Sequence, residues 1–290
     1  IIKQLILLIF CSTSFFTIAD NMNKVEGKKK PRIIALSPHI VEILYDIGAG
    51  EQIIGTTDFS NYPQQAQTIP IIGNYLRLQI EKIIALQPDL IIAWKSGSPS
   101  DDIARLTQLG FKVVYSQPNT FADIAKEMRE FGQLTGHQVQ AEQKAEQHLN
   151  DLAAITKQYQ GKTPINIFYE LASNPLMTVA KGSWPQQFLT ICQGKNPFEH
   201  LTTPYPQVSI EKILHTETQA IIQPISAHHN ETQTFNWQDW PVIPAVKNKQ
   251  IIQANADAMH RMTMRSLQAL QKLCHDIDNT RKLLTNKHNN

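Results

Sequence analysis

The sequence carries little net charge. Its 27 lysine and arginine residues nearly balance 25 aspartate and glutamate residues, which gives a formal charge of +2 at pH 7. The basic residues are scattered, apart from the triplet Lys28-Lys29-Lys30. Because a surface that binds phosphate backbones needs clustered positive charge, the sequence predicts no nucleic-acid partner.

The sequence also lacks the short motifs of the common enzyme classes. It contains no phosphate-binding loop, no glycine-rich dinucleotide fingerprint, no nucleophile elbow and no paired-histidine zinc helix. The neighbours His228-His229 have no further ligands at a useful spacing, so we expect no metal there. We therefore predict a protein that is not an enzyme, although distant residues can assemble a catalytic set that no local motif records.

No apolar run is long enough to span a bilayer comfortably. The run at 5–10 follows Lys3 and is typical of a secretory signal, with Thr17-Ile18-Ala19 as a suitable processing site. Cys11 also allows a lipoprotein, but bulky Phe10 precedes it, where such sites favour a small residue. We expect a signal peptide at 1–19 and a polar linker at 20–30.

Cysteine is scarce, with three residues in the whole chain. Loss of Cys11 with the signal would leave Cys192 and Cys274 as an even pair in an oxidising compartment. A disulfide between them would close a loop of about 80 residues and stabilise the fold by roughly 3–5 kcal/mol. Two buried free thiols are the alternative.

One stretch of the sequence occurs twice. Both copies contain an Ile-Glu-Lys-Ile segment with helical spacing, then a polar break and a short apolar run. A tyrosine precedes each glutamate by the same interval, Tyr75 before Glu81 and Tyr205 before Glu211. The matched spacing predicts two similar lobes, each with an aromatic residue and a glutamate at its rim. Two unrelated helix–strand units are the alternative.

The surrounding pattern is that of an α/β protein. Short apolar runs alternate with helical repeats, which is typical of parallel sheets, and 139–160 contains neither proline nor glycine and predicts one long helix. The predicted fold has two similar α/β lobes with central parallel sheets, joined by one long rigid helix, with a ligand cleft between them. The predicted bounds are 31–135 for the N-terminal lobe, 136–162 for the interlobe helix, 163–280 for the C-terminal lobe and 281–290 for a loose tail.

Aromatic residues are concentrated in loops at the ends of predicted strands. A cleft between α/β lobes is a favoured ligand site, and aromatic side chains there offer large flat apolar contacts. Tyr75 and Tyr205, which match across the repeat, are the strongest candidates. The full set is Phe59, Tyr62, Tyr75, Trp184 and Tyr205.

Taken together, the sequence resembles the periplasmic vitamin B12-binding proteins of ABC importers, a class whose lobes are joined by a rigid helix. The resemblance runs from Pro31 to about Asp278 and implies that the protein captures cobalamin in the periplasm without chemistry. It also implies delivery to a membrane permease and its ATPase. The motifs that carry it are Arg32-Ile33-Ile34-Ala35-Leu36-Ser37-Pro38, Tyr62-Pro63-Gln64-Gln65-Ala66, 83–94 with Pro88-Asp89-Leu90, and Pro204-Tyr205-Pro206-Gln207-Val208-Ser209.

The resemblance also implies roles for single residues. Glu81 and Glu211 match the family's two docking glutamates, which meet arginines of the permease, and Cys192 and Cys274 stand where the family forms a disulfide. Cobalamin would be a transported ligand, so no cofactor and no metal site are implied, and we expect a monomer. The implied cleft positions are Phe59, Tyr75, Met177, Tyr205, Asp257 and Arg261.

The cleft positions depart from the family pattern. Tyr75 and Tyr205 stand where the family commonly has tryptophan, and Met177 where it has phenylalanine, so the apolar contact is smaller. Tyr75-Leu76-Arg77 is also similar to haem-binding relatives, in which a tyrosine oxygen ligates iron. Haem is therefore the first rival ligand and a ferric siderophore the second. The rival functional classes are a secreted enzyme and a structural envelope protein.

Overall fold

The computed structural model describes residues 29–226 and 235–288. The predicted signal peptide at 1–19, all but the last two residues of the predicted linker at 20–30, and the pair His228-His229 lie outside the described residues. Within the two described ranges, no helix combines the length and the apolar character needed to cross a membrane.

The N-terminal lobe contains a four-stranded parallel sheet. Its strands in chain order are β1 (Ile33–Ala35), β2 (Ile53–Thr56), β3 (Leu90–Trp94) and β4 (Val113–Ser116). They lie in the order β2-β1-β3-β4, and every neighbouring pair is parallel. Ile33 and Ile34 face two different apolar clusters, so the central strand is buried on both faces, as its unbroken apolar sequence predicts.

Four helices accompany this sheet: α1 (Pro38–Asp46), α2 (Ile80–Leu86), α3 (Ser100–Gln108) and α4 (Phe121–Thr135). Proline at the first position of α1 suits a helix start, since the N–H it lacks would have no partner there. Thr120 and Asp123 form a capping box at the start of α4, and Gly136 ends that helix with φ of 79°.

The C-terminal lobe has a second four-stranded parallel sheet. Its strands are β5 (Ile165–Tyr169), β8 (Gly194–Lys195), β9 (Ala220–Ile225) and β10 (Ile251–Asn255), and the short antiparallel pair β6 (Ala172–Ser173) and β7 (Leu176–Met177) lies outside that sheet. The helices are α6 (Gln186–Ile191), α7 (Ile210–Leu214), α8 (Pro244–Lys247), α9 (Ala256–His260) and α10 (Arg265–His288).

The two sheets have the same topology. The second lies in the order β8-β5-β9-β10, so in both lobes the second strand of the sheet is followed by the first, third and fourth. The repeated segments form α2 and α7, and each precedes the third strand of its sheet. The prediction of two similar parallel α/β lobes is confirmed.

A long helix, α5 (Gln138–Tyr159), joins the lobes, as predicted. It packs along α4 of the N-terminal lobe and also contacts α6 and α10 of the C-terminal lobe. The α4–α5 contact is close at Gly132, where an added Cβ would lie 2.3 Å from the Cβ of Ala141. Glycine at that position therefore permits the two helices to approach.

A single apolar core continues from one lobe into the other. Phe121 of α4 has its ring centroid 4.8 Å from that of Trp184 and 5.1 Å from that of Phe188. Trp184 is buried, and its Nε1 donates to the carbonyl of Met259 at 2.7 Å. The interpretation of Trp184 as a cleft aromatic was therefore wrong, because its ring fills the interlobe core.

The disulfide predicted between Cys192 and Cys274 is present and buried, which excludes the alternative of two free thiols. It links the end of α6 to the middle of α10. Within the predicted loose tail at 281–290, residues 281–288 instead continue α10, which ends at His288. Arg281 is buried there and donates to Asp278 at 2.8 Å and to the carbonyl of Cys192 at 3.0 Å.

Candidate ligand cleft

The candidate site lies where the strands of both sheets end. Phe59 follows β2 in the N-terminal lobe, and Asp257 and Arg261 follow β10 in the C-terminal lobe. Crevices at the carboxyl ends of parallel strands are the usual ligand sites of open α/β sheets. These three predicted residues therefore follow the carboxyl ends of strands.

Phe59 projects from a tight loop. Its backbone is left-handed, with φ of 66°, a conformation that residues with a Cβ seldom adopt. Its carbonyl accepts from the backbone N–H of Asn61 at 2.9 Å and from Nη2 of Arg261 at 3.1 Å. The residue is 53% exposed.

Tyr75 is presented by a second tight loop of the N-terminal lobe. Asn74 closes this loop, because its Oδ1 accepts from the backbone N–H groups of Leu76 at 2.9 Å and Arg77 at 3.1 Å. Gly73 is required beside it, since a Cβ there would lie 2.4 Å from the carbonyl oxygen of Arg77. Tyr75 itself is 66% exposed.

Met177 and Tyr205 lie on neighbouring segments of the C-terminal lobe. The segment that contains Tyr205 runs antiparallel to β7, with hydrogen bonds from Thr178 N to Pro206 O at 3.0 Å and from Val208 N to Leu176 O at 3.0 Å. Tyr205 is 45% exposed. This pairing holds both side chains on the same rim of the lobe.

A polar pair, formed by the buried Tyr169 and the partly buried His260, lies close to this rim. The hydroxyl of Tyr169 lies 2.9 Å from Nε2 of His260. Burial, with a smaller contribution from Tyr205, raises the pKa of Tyr169, and burial lowers the pKa of His260 to about 4. Both groups are therefore neutral near pH 7 and form an uncharged hydrogen bond beneath the rim.

Arg261 connects the two lobes. Its Nη1 donates to Glu42 at 3.0 Å and to Asn61 at 2.8 Å, and its Nη2 lies 3.6 Å from Asp257 Oδ1. The structure thus brings together Phe59, Asp257 and Arg261, whereas Tyr75 occupies a separate loop. Sequence reasoning missed Glu42, although a glutamate inside the apolar helical face around Ile40 and Leu44 is an available signal.

The two glutamates predicted to dock on a permease occupy equivalent positions. Glu81 lies in the first turn of α2 and Glu211 in the first turn of α7, and both are exposed. Arg105 Nη2 lies 3.8 Å from Glu81 Oε1. The Ser209 side chain, together with the backbone N–H of Glu211, lowers the pKa of Glu211 below its usual range. Each lobe therefore presents one exposed carboxylate at the same place.

A serine, a histidine and a glutamate also meet inside the N-terminal lobe. His39 Nε2 lies 2.7 Å from Ser116 Oγ, and Ser116 donates to Glu127 at 2.7 Å. All three are buried, and burial lowers the pKa of His39 to about 3. Such a histidine is a poor general base near neutral pH, and the serine lies beyond the reach of a bound substrate. The group is an internal hydrogen-bond network.

The described part of the chain contains no set of three or more histidine, cysteine, aspartate or glutamate residues arranged to hold a metal ion. The cleft instead offers exposed aromatic rings and a polar group around Arg261. This arrangement suits a large, partly flat ligand held by apolar contact and a few hydrogen bonds.

Proteins of known sequence share this organisation. The family model described as "Periplasmic binding protein" matches residues 33–258. The chain is 36% identical over 244 residues to the vitamin B12-binding protein of Vibrio cholerae serotype O1. The aligned region covers 84% of this chain and 87% of the relative.

Solved structures agree with the fold. The crystal structure of the periplasmic vitamin B12-binding protein of Vibrio cholerae matches with a TM-score of 0.80 and 34% identity, over 87% of this chain and 99% of that one. The periplasmic heme-binding protein of Vibrio cholerae matches with a TM-score of 0.73 over 84% of this chain and 97% of that one. At 18% identity, this second match shows a common fold alone.

Proposed function

The chain belongs to the periplasmic binding protein family, and we propose that it captures cobalamin between its lobes and delivers it to an ABC importer in the membrane. The proposal draws its ligand from the vitamin B12-binding relatives, which resemble this chain over most of its length. Capture and delivery require no chemical step, in keeping with a family of binding proteins.

The observation that carries the proposal is the pair of tyrosines at matching positions of the two lobes. Tyr75 precedes α2 and Tyr205 precedes α7, and both expose much of their surface. Exposed aromatic rings on opposite rims can close on the two sides of a large flat ligand and remove apolar surface from water.

The other predicted cleft residues have complementary roles. Phe59 and Met177 extend the apolar walls, one in each lobe. Asp257 and Arg261 supply a carboxylate and a guanidinium, which can hydrogen-bond to the amide groups at the edge of a corrin ring. A single ligand that uses all six positions would contact both lobes at once.

Haem is the second candidate ligand. The phenol of Tyr75 is exposed on a rigid loop, and a phenolate oxygen is a known type of iron ligand. Cobalamin is preferred because the relatives that cover most of this chain at 34–36% identity are vitamin B12-binding proteins.

Delivery would use the two exposed glutamates. Glu81 and Glu211 stand at equivalent places on the two lobes, so they suit arginines on a partner with approximate two-fold symmetry. An importer with two permease subunits and two ATPase subunits has that symmetry. In the monomeric state that we propose, both carboxylates stay exposed to a partner.

The remaining sequence predictions complete this picture. Residues 1–19 would direct secretion and be removed, and 20–30 would form a linker. The lobes at 31–135 and 163–280, joined by the helix region at 136–162, would function in the periplasm.

Transport into vesicles tests delivery. Vesicles that contain the partner importer should take up cyanocobalamin when wild-type protein and ATP are present. The double variant Glu81→Arg/Glu211→Arg should abolish uptake, because two attractive contacts become repulsive, while its affinity for cyanocobalamin stays unchanged.

The control for that experiment is Glu130→Arg/Glu217→Arg, which makes the same change in charge at exposed positions on α4 and after α7. This variant should support normal uptake. Uptake by the Glu81/Glu211 double variant at the wild-type rate would show that these residues do not dock.

A further inference from the structure

A buried glutamate of the N-terminal lobe binds two arginines of the C-terminal lobe. The side chain of Glu42, on α1, is only 1% exposed. Its Oε1 accepts from Arg261 Nη1 at 3.0 Å and from Arg265 Nη2 at 2.6 Å, and its Oε2 accepts from Arg265 Nε at 2.9 Å. We call Glu42, Arg261 and Arg265 the interlobe bridge. Its contacts are charge-assisted, and the one with Arg265 is bidentate.

The interlobe bridge also holds a loop of the N-terminal lobe. Arg261 donates to Asn61 Oδ1 at 2.8 Å and to the carbonyl of Phe59 at 3.1 Å. The guanidinium of Arg265 lies over the ring of Tyr62, 3.9 Å from its centroid. The C-terminal lobe therefore contacts three positions of the loop that carries Phe59.

Phe59 depends on those contacts for its conformation. Its left-handed backbone is unfavourable for a residue with a Cβ, so surrounding interactions must compensate. The hydrogen bond from Arg261 to its carbonyl is one of them and comes from the opposite lobe. Movement of Arg261 would release the backbone of Phe59 and let its exposed ring change direction.

The charges explain why the lobes stay together at this point. An ionised carboxylate as buried as Glu42 is stable when its oxygens are hydrogen-bonded to cations, and it becomes unfavourable when a partner is removed. Separation of the lobes would withdraw both arginines at once. The interlobe bridge therefore opposes opening of the cleft, in addition to the apolar core around Phe121.

We propose that Glu42 is a positioning residue for the ligand site: through Arg261 and Arg265 it fixes the angle between the lobes before ligand arrives, and it sets the direction of the Phe59 ring. Arg261 thereby acts on Phe59 through its backbone. The role of Glu42 in ligand binding rests on the function proposed above, whereas its role in fixing the lobe angle does not depend on that function.

The first test measures lobe separation without ligand. Spin labels at Arg77→Cys and Lys212→Cys place one probe on the exposed rim of each lobe of the mature protein. Double electron–electron resonance should give one narrow distance distribution for wild type. Glu42→Gln should give a broader distribution that extends to longer distances, because the charge that holds both arginines is lost.

The matched control is Glu127→Gln, which removes a buried carboxylate of the same lobe whose hydrogen bonds come from Ser116 and Gln117. Its distance distribution should equal that of wild type. If Glu42→Gln fails to fold by circular dichroism, Arg265→Lys replaces it, since lysine keeps the charge and loses the bidentate contact. A wild-type distribution in the folded bridge variant would overturn the proposal.

The second test measures the coupling between Glu42 and Phe59. Glu42→Gln should weaken cyanocobalamin binding about tenfold through faster dissociation. Phe59→Ala should weaken binding in the wild-type background but have much less effect in the Glu42→Gln background, because the ring is already misplaced. Additive effects would overturn the positioning role. Absence of cyanocobalamin binding by wild type would contradict the proposed function, and the distance measurement would still decide the bridge.

Discussion

At the level of single residues, burial changes the protonation of an acidic side chain on α1. Asp46 lies one turn after Glu42 on α1 and is half-buried. Burial, and to a smaller extent the charge of Glu42, raise the pKa of Asp46 to about 7, although Lys144 and Arg265 act in the opposite direction. The folded protein therefore binds a proton at Asp46 in a pH range where the unfolded chain does not.

This shift predicts a pH-dependent effect of Asp46→Asn. Above pH 7 the folded wild type carries an unfavourable charge, so the variant should have the higher free energy of unfolding, by roughly 1–4 kcal/mol. As the pH falls from 7 toward 4, wild-type Asp46 becomes protonated in the folded state and the advantage of asparagine should disappear. Urea denaturation of both proteins at pH 8, 6 and 4.5 measures this difference. A difference that does not change with pH would contradict the assignment.

Sequence reasoning at this scale succeeded where exposure follows from loop position. The matched spacing of Tyr75 and Tyr205 predicted exposed aromatic residues, and both side chains are exposed. Trp184 also follows a loop pattern, but its neighbours in space bury it, and the sequence does not show those neighbours. Glu42 was missed because its partner Arg261 is 219 positions away, and no local pattern relates them.

At the level of helices and strands, apolar periodicity was sufficient where burial is continuous. The long helix α5 was predicted because no proline or glycine interrupts 139–160, and the two sheets were predicted from short β-branched runs. The end of α10 was missed because 281–288 is mostly polar. A buried arginine, Arg281, stabilises that segment through backbone carbonyls, and such contacts leave no periodic signal.

For the helices and strands, the prediction concerns the stability that the disulfide between α6 and α10 provides. The two cysteines are 82 positions apart, so the bridge restricts a large loop of the unfolded chain. Cys192→Ala/Cys274→Ala should lower the free energy of unfolding by about 3–5 kcal/mol. Chemical denaturation measures this loss, and reduction of the wild type should move its midpoint in the same direction.

The affinity for ligand is the control measurement for the disulfide variant. Cys192 lies two residues before β8, at the amino end of the sheet and away from the cleft edge. The double alanine variant should therefore bind ligand with wild-type affinity while it remains folded. An unchanged denaturation midpoint would contradict a stabilising role for the disulfide.

At the scale of the whole molecule, the two lobes are connected in several places. The lobes share one apolar core, the helix α5 contacts both of them, and the interlobe bridge adds a third connection. We expect ligand binding to change the angle between the lobes only slightly, unlike the wide closure of hinged domains. The repeated tyrosine–glutamate spacing predicted two similar lobes, whereas the angle between them depends on contacts that no sequence pattern records.

The most direct test of the central claim is calorimetric titration of the mature protein with cyanocobalamin and, in parallel, with haemin. We expect tight one-to-one binding of cyanocobalamin, weak binding of haemin, and a lower affinity for cyanocobalamin in Tyr75→Ala. The claim would be contradicted by tight haemin binding with a tyrosinate-type absorption band that Tyr75→Ala removes, together with no heat from cyanocobalamin.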